Sequence, residues 1–245
     1  MKISLNHKRI KDRTKAIMCF IFLFFNSSIL LGQNPCNTII QKVHINDKAF
    51  TVYKGKLDEA KNNYTQNPSA DNLIWLGRRT AYMGHYKNAI DIYTKGIDQY
   101  PKDARFYRHR GHRYISIRCF NLAIKDFKKA ARLTRGKPNE VEPDGLPNAL
   151  NIPTSTLQGN IYYHLGLAYY LQGEYRQALW AYKKCLILAK NPDSYVAAAN
   201  WLYVINRHIG RDKDAQELLN SITDDMAIIE NMTYHEILKL YQGKN

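Results

Sequence analysis

Residues 162–182 hold the stretch that decides the fold: Tyr162-Tyr163-His164-Leu165-Gly166, followed by Tyr169, Gly173, Tyr175, Ala178 and Tyr182. The same spacing occurs twice earlier. Leu73-Ile74-Trp75-Leu76-Gly77 precedes Ala81, Gly84, Tyr86, Ala89 and Tyr93. Tyr107-Arg108-His109-Arg110-Gly111 precedes Tyr114, Phe120, Ala123, Phe127 and Ala130. Each time a large residue is followed four positions on by glycine, an alanine lies twelve beyond the glycine, and an aromatic stands four beyond that. Two antiparallel helices of about 13 residues approach closely only where a facing side chain is very small. Gly77, Gly111 and Gly166 supply that gap on a first helix, and Ala89, Ala123 and Ala178 on a second. Tyr93, Phe127 and Tyr182 are expected to plug the groove between neighbouring repeats, burying about 150–250 Å2 each. Gly84 and Gly173 suit the left-handed conformation that ends a helix, and Pro101 stops the first unit before the next helix begins.

The key alanines stand at positions 89, 123, 178 and 215, at intervals of 34, 55 and 37. A unit of that first length with this Trp/Leu/Gly/Tyr–Ala–Phe–Ala–Pro pattern resembles the tetratricopeptide-repeat (TPR) family. The resemblance implies an all-α solenoid of helix-turn-helix pairs, with about four repeats and capping helices. The long middle interval holds one repeat plus an insertion placed at 136–156, where Pro138, Pro143, Pro147 and Pro153 forbid a continuous helix. The fourth unit, 197–222, is degenerate: it keeps Leu202, Gly210 and Ala215 but has Tyr203 at the glycine site. Helices over about 50–64 and 234–241 read as caps. The organisation is therefore a leader at 1–32, a lead-in and cap at 33–69, the array at 70–222 with its insertion at 136–156, and a closing cap at 223–245. From Ala104 onward, including residues 107–113 and Val141-Glu142-Pro143-Asp144-Gly145, the chain also resembles a group of exported bacterial TPR proteins. That likeness implies fold and not activity.

Residues 1–32 are of another kind. Lys2, Lys8, Arg9, Lys11, Arg13 and Lys15 precede an apolar run from Ala16 to Leu31, the layout of an export signal with cleavage after Gly32, before Gln33. The alternative is a retained anchor through residues 16–32. The expected location is therefore outside the cytoplasm, in the periplasm or cell envelope. The whole chain carries a formal charge of +15. Without the leader, 30 basic residues still stand against 20 acidic ones. For an exported chain, this excess points to acidic proteins or anionic envelope surfaces rather than nucleic acid. Cys36, Cys119 and Cys185 are odd in number and widely spaced, which predicts no disulfide framework, with Cys119 and Cys185 as small core residues.

In the TPR family the first helix of each pair lines the concave surface. The resemblance therefore implies a face of Trp75, Arg78, Arg105, Arg108, His109, His112, Asn160, Tyr163, His164, Asn200, Trp201 and Arg207. That face is basic and aromatic, with no carboxylate among these residues, and fits an acidic peptide or protein segment. An anionic glycan or lipid headgroup is the alternative ligand. His109, His112 and His164 lack a Cys or carboxylate at a diagnostic spacing, so no metal or other cofactor is expected. No phosphate loop, HExxH or nucleophile elbow occurs in the chain, and the expectation is a non-enzymatic interaction scaffold or adaptor. The acidic insertion, with Glu140, Glu142 and Asp144, is either a spacer or a flap folded over the basic groove.

Overall fold

The computed structural model describes Cys36 and residues 45–244. The leader and its expected cut before Gln33 lie outside these residues. Among the described residues are ten helices. They are α1 (Asp47–Gln66), α2 (Ala70–Tyr82), α3 (Tyr86–Gln99), α4 (Ala104–Ser116), α5 (Phe120–Thr134), α6 (Leu157–Leu171), α7 (Tyr175–Leu188), α8 (Pro192–His208), α9 (Asp212–Leu219) and α10 (Met232–Tyr241). Helices α2–α9 stack as four consecutive pairs, α1 packs on α2, and α10 packs on α8. No helix among the described residues is long and apolar enough to cross a membrane.

The two helices of a pair begin by different devices. Each first helix has a side-chain N-cap: Ser69, Asp103, Thr156 and Asn191 accept from backbone N–H groups at 2.8–3.2 Å. The second helices start without one, from His85, Cys119, Glu174 and Arg211. There the turn caps the end of the first helix instead. The N–H groups of those four residues reach back to the carbonyls of Thr80, Tyr114, Tyr169 and Asn206, as in a Schellman turn. The preceding residue must then be left-handed. Gly84, Gly173 and Gly210 have φ of 77°, 77° and 74°, and Arg118 takes the same place at 60° despite its side chain.

The expected glycine–aromatic fit is present, but within each pair rather than only between neighbours. A Cβ on Gly166 would lie 2.6 Å from the Tyr182 ring and one on Gly111 3.0 Å from the Phe127 ring, and one on Gly77 would collide with Tyr93. The opposite side of each ring meets the next repeat. Tyr93 stacks on His109, Phe127 on His164 and Tyr182 on Trp201, with centroids 5.5–5.9 Å apart and planes within 21°. One ring thus joins two repeats. The fourth pair departs from this: Leu219 replaces the plug, and Tyr203 turns to stack on Tyr241 of α10 at 4.2 Å.

One cysteine expectation is corrected. Cys36 and Cys119 are disulfide-bonded, with Cα atoms 4.9 Å apart, across 83 residues of sequence. Spacing along the chain carried no hint of it, because only the fold brings the two together. Cys185 is free and buried, and burial pushes its thiol up to about 12.

Candidate binding cleft

The insertion is the feature that shapes the site. Its two arms pair through Val141 and Thr156. The Glu142 N–H donates to the Ser155 carbonyl at 3.0 Å, and the Leu157 N–H donates to the Glu140 carbonyl at 2.9 Å. The Gly145 carbonyl accepts from Arg79 of α2 at 2.7 Å. At the other end, Asn148 and Thr154 donate to the Glu230 carboxylate at 2.6 and 2.7 Å. Glu230 lies in the loop before α10, which is itself fixed by a buried carboxylate. Asp193, at the start of α8, accepts from the N–H groups of Ile229, Glu230 and Asn231 at 2.7–3.0 Å. The insertion is a strap tied at both ends.

At its centre Glu142 reaches the first helices. Its carboxylate meets Arg108 at 3.0 Å and accepts from Asn160 at 3.1 Å, with His109 Nε2 at 3.7 Å. Arg108 and Glu142 are each about 8% exposed. Arg113 and Arg78 stand near the same histidines, and among the described residues neither has an ion pair. Burial first, and then Arg108, Arg78 and Arg113 at His109 and the His164 ring and Arg113 at His112, pushes both well below the ordinary imidazole range; burial and then Arg108 push His164 down to about 3. The three rings are therefore neutral near pH 7. His112 and His164 lie 4.2 Å apart, and His164 Nδ1 bonds the Asn160 carbonyl at 2.8 Å.

The face named from the sequence has no carboxylate of its own, and the insertion brings one onto it. Glu142 supplies the carboxylate. Arg108 and Asn160 hold it, while His109, His164 and Trp201 are the faces on which the plug rings stack. His112 is packed against His164. The Tyr163 hydroxyl is bonded to Trp201 Nε1 at 2.9 Å and to Tyr234 of α10 at 2.8 Å. Asn200 is buried, and Arg207, at the rim, pairs with Asp212 at 3.0 Å. The flap alternative for the insertion and the closing cap were both readable from the sequence, but which face residues they would occupy was not, because a repeat pattern says nothing of what an insertion covers.

Trp75, Arg78 and Arg105 remain together at an opening. With Ile74, His109 and strap residues 140–143 they line a cleft of about 420 Å3, within the size range of ligand sites. Two guanidinium groups flank the Trp75 ring, Arg78 at 4.3 Å and Arg79 at 4.7 Å from its centroid. Arg105 is oriented by Asp103 and Asp71, at 2.6 and 2.5 Å. Such a surface can take a carboxylate-bearing extended segment, with Arg78 as the cation that lacks a partner among the described residues.

Comparison with known proteins agrees with this architecture. The tetratricopeptide-repeat family model matches residues 159–192, the third pair. Small glutamine-rich tetratricopeptide repeat-containing protein 2 of Saccharomyces cerevisiae is 27% identical over 150 residues, covering 58% of this chain and 37% of the relative. The chain thus spans little more than a third of that protein's length. Among solved structures, a thermophilic TPR protein of Thermus thermophilus superposes with a TM-score of 0.55 at 16% identity, over 79% of this chain and 93% of that one. MamA does so at 0.53 and 18%, over 83% and 100%. The stacked pairs, the glycine–aromatic register and these likenesses converge: the chain carries a tetratricopeptide repeat at residues 159–192 and has the fold of tetratricopeptide-repeat proteins.

Proposed function

We propose that the protein is a non-enzymatic interaction scaffold of the bacterial cell envelope, which holds an acidic segment of a partner protein in the cleft beside the strap. TPR domains serve protein–protein interaction, and the likeness to TPR proteins supports protein partners. Asp71, Glu140 and Glu142 also line the cleft, and the observation that carries the reading is the one guanidinium there that none of the described carboxylates pairs, beside the Trp75 ring. Trp75, Arg78 and Arg105 meet at one opening, and Arg78 has no carboxylate partner among the described residues. Export is supported by the basic and apolar leader and by the Cys36–Cys119 disulfide, which suits an oxidising compartment. An anionic glycan or headgroup would use the same cations, but the cleft also offers Ile74, Val141 and Leu157 as apolar wall, which favours a peptide.

The test is the affinity of the purified full-length chain for acetyl-Glu-Asp-Leu-Asp-Glu-amide, with and without Arg78→Ala. Loss of one charge-assisted contact is expected to weaken binding by about 10-fold or more. Added salt should narrow that gap. Binding that ignores Arg78→Ala would overturn the cleft assignment.

A further inference from the structure

The register of the repeats shows what the described residues leave out at the N-terminal end of the array. Where the first repeat meets the second, two rings fill the joint: Tyr93 of α3 and Phe106 of α4, exposed by 1% and 0%. Tyr93 lies on His109, and Gly96 makes room for Phe106. One repeat earlier, the same joint lies between α1 and α2. Set in register with α3, helix α1 carries Lys56, Ala60 and Asn63 at the places of Ala89, Tyr93 and Gly96. Set in register with α4, helix α2 carries Asn72, Trp75 and Arg79 at the places of Phe106, His109 and Arg113. Ala60 is buried and faces the joint, as Tyr93 does.

These six side chains, with Glu59, line a cavity of about 190 Å3. A methyl and an amide stand where the next joint has two rings. Asn72 does not fill the gap, since its amide turns back to donate to the carbonyls of Asn67 and Asn63 at 2.9 and 3.3 Å. The bed for a ring is nevertheless complete. Trp75 holds the position taken by His109, His164 and Trp201 in later joints, each of which carries a plug ring. Arg79 lies over Trp75, fixed by the strap through the Gly145 carbonyl, and offers a flat guanidinium to stack on.

We propose that this cavity is a socket for one aromatic side chain of the partner, which enters where Tyr93 sits one repeat on. The inference rests on the cleft reading, because Trp75 lines both the cavity and the cleft and so connects them. The occupant that fits is a Tyr or Phe flanked by acidic residues. The ring completes the joint, and its flanks meet Lys56, Arg79 and Arg78. Filling the socket from within should imitate the partner: Ala60→Phe supplies the missing ring.

The experiment compares acetyl-Glu-Asp-Tyr-Asp-Glu-amide with its leucine counterpart on the full-length chain, on Ala60→Phe and on Trp75→Leu, with melting curves for each. The tyrosine peptide is expected to bind about 10-fold tighter than the leucine peptide. That preference should vanish in both variants, and Ala60→Phe should melt about 2–4 °C higher. Equal affinity for the two peptides, a preference that survives Ala60→Phe, or a lower melting point in that variant would each overturn the socket. Leucine-peptide binding that depends on Arg78 separates the two readings: if it persists while the ring preference is absent, the socket falls and the cleft stands. Self-association of the unliganded chain that Ala60→Phe abolishes would give the cavity to a second copy and would also overturn the proposal.

Discussion

Glu142 of the insertion and Arg108 of α4 meet at 3.0 Å, each from a different part of the sequence and both almost wholly withdrawn from solvent. Taking two charges out of water is costly, and the cost is recovered only while both remain paired. The pair therefore locks the strap to the second repeat, and it places this chain's own carboxylate where a carboxylate ligand would otherwise bind.

Removing one partner should be severe. Glu142→Gln is expected to lower stability by about 3–5 kcal/mol, since Arg108 stays buried without its counter-charge. Urea unfolding of the variant measures this. A change under about 1 kcal/mol would show that the pair is solvated in solution. Deleting residues 138–153 should raise affinity for acetyl-Glu-Asp-Leu-Asp-Glu-amide several-fold by exposing Arg108. Unchanged affinity would make the strap a spacer.

Acid should weaken the array through its core histidines. His164 titrates near 3 in the folded state, because burial and then Arg108 and Arg113 oppose its protonation. Unfolded, it takes up a proton near 6.5. The unfolded state thus gains protons first as pH falls, and stability is lost between about pH 6.5 and 3, at about 1.4 kcal/mol per pH unit for each such histidine. His112 is shifted in the same direction. Unfolding midpoints taken from pH 7.5 to 5 should decline, and the decline should be shallower in His164→Asn. A flat or rising curve would contradict the burial of these rings.

Arg118 occupies a left-handed turn position that Gly84, Gly173 and Gly210 occupy in the other repeats. A side chain there costs about 1 kcal/mol relative to glycine. Arg118→Gly should accordingly raise the melting temperature by about 2–4 °C, and a fall would show that the Arg118 side chain contributes more than the backbone loses.

Glycines in helices should divide by what faces them. Gly166→Ala forces a methyl group against Tyr182 and should cost about 1–3 kcal/mol. Gly55→Ala in α1 meets nothing within 4 Å and should be neutral or gain about 0.5–1 kcal/mol. In thermal melts Gly166→Ala should fall, and Gly55→Ala should stay level or rise.

Most of the fold was legible because its determinants are local and periodic. Gly77, Gly111 and Gly166 announce a close helix approach, and Tyr93, Phe127 and Tyr182 announce what fills it. The site was less legible, because its determinants are neither local nor periodic. Arg108 and His109 read as cationic positions that the acidic insertion either covers or leaves open, and only the fold shows Glu142 on Arg108. Trp201 read as a partner anchor until Tyr182 was seen beneath it. Cys36 and Cys119 are joined across 83 residues, with no pattern in between. The gap beside Ala60 shows only when α1 is set in register with α3, since a missing ring leaves no mark in a single sequence.

The central claim, that a partner lies in the cleft of Trp75, Arg78 and Arg105, is tested most directly by site-specific photocross-linking in native envelopes. A benzophenone side chain replaces Asp71, at the edge of the cleft, or Ile187, a residue 73% exposed in α7. The account predicts a discrete protein adduct from position 71 that Arg78→Ala diminishes, and none from position 187. Adducts from position 187 alone, or adducts from 71 that ignore Arg78→Ala, would contradict it.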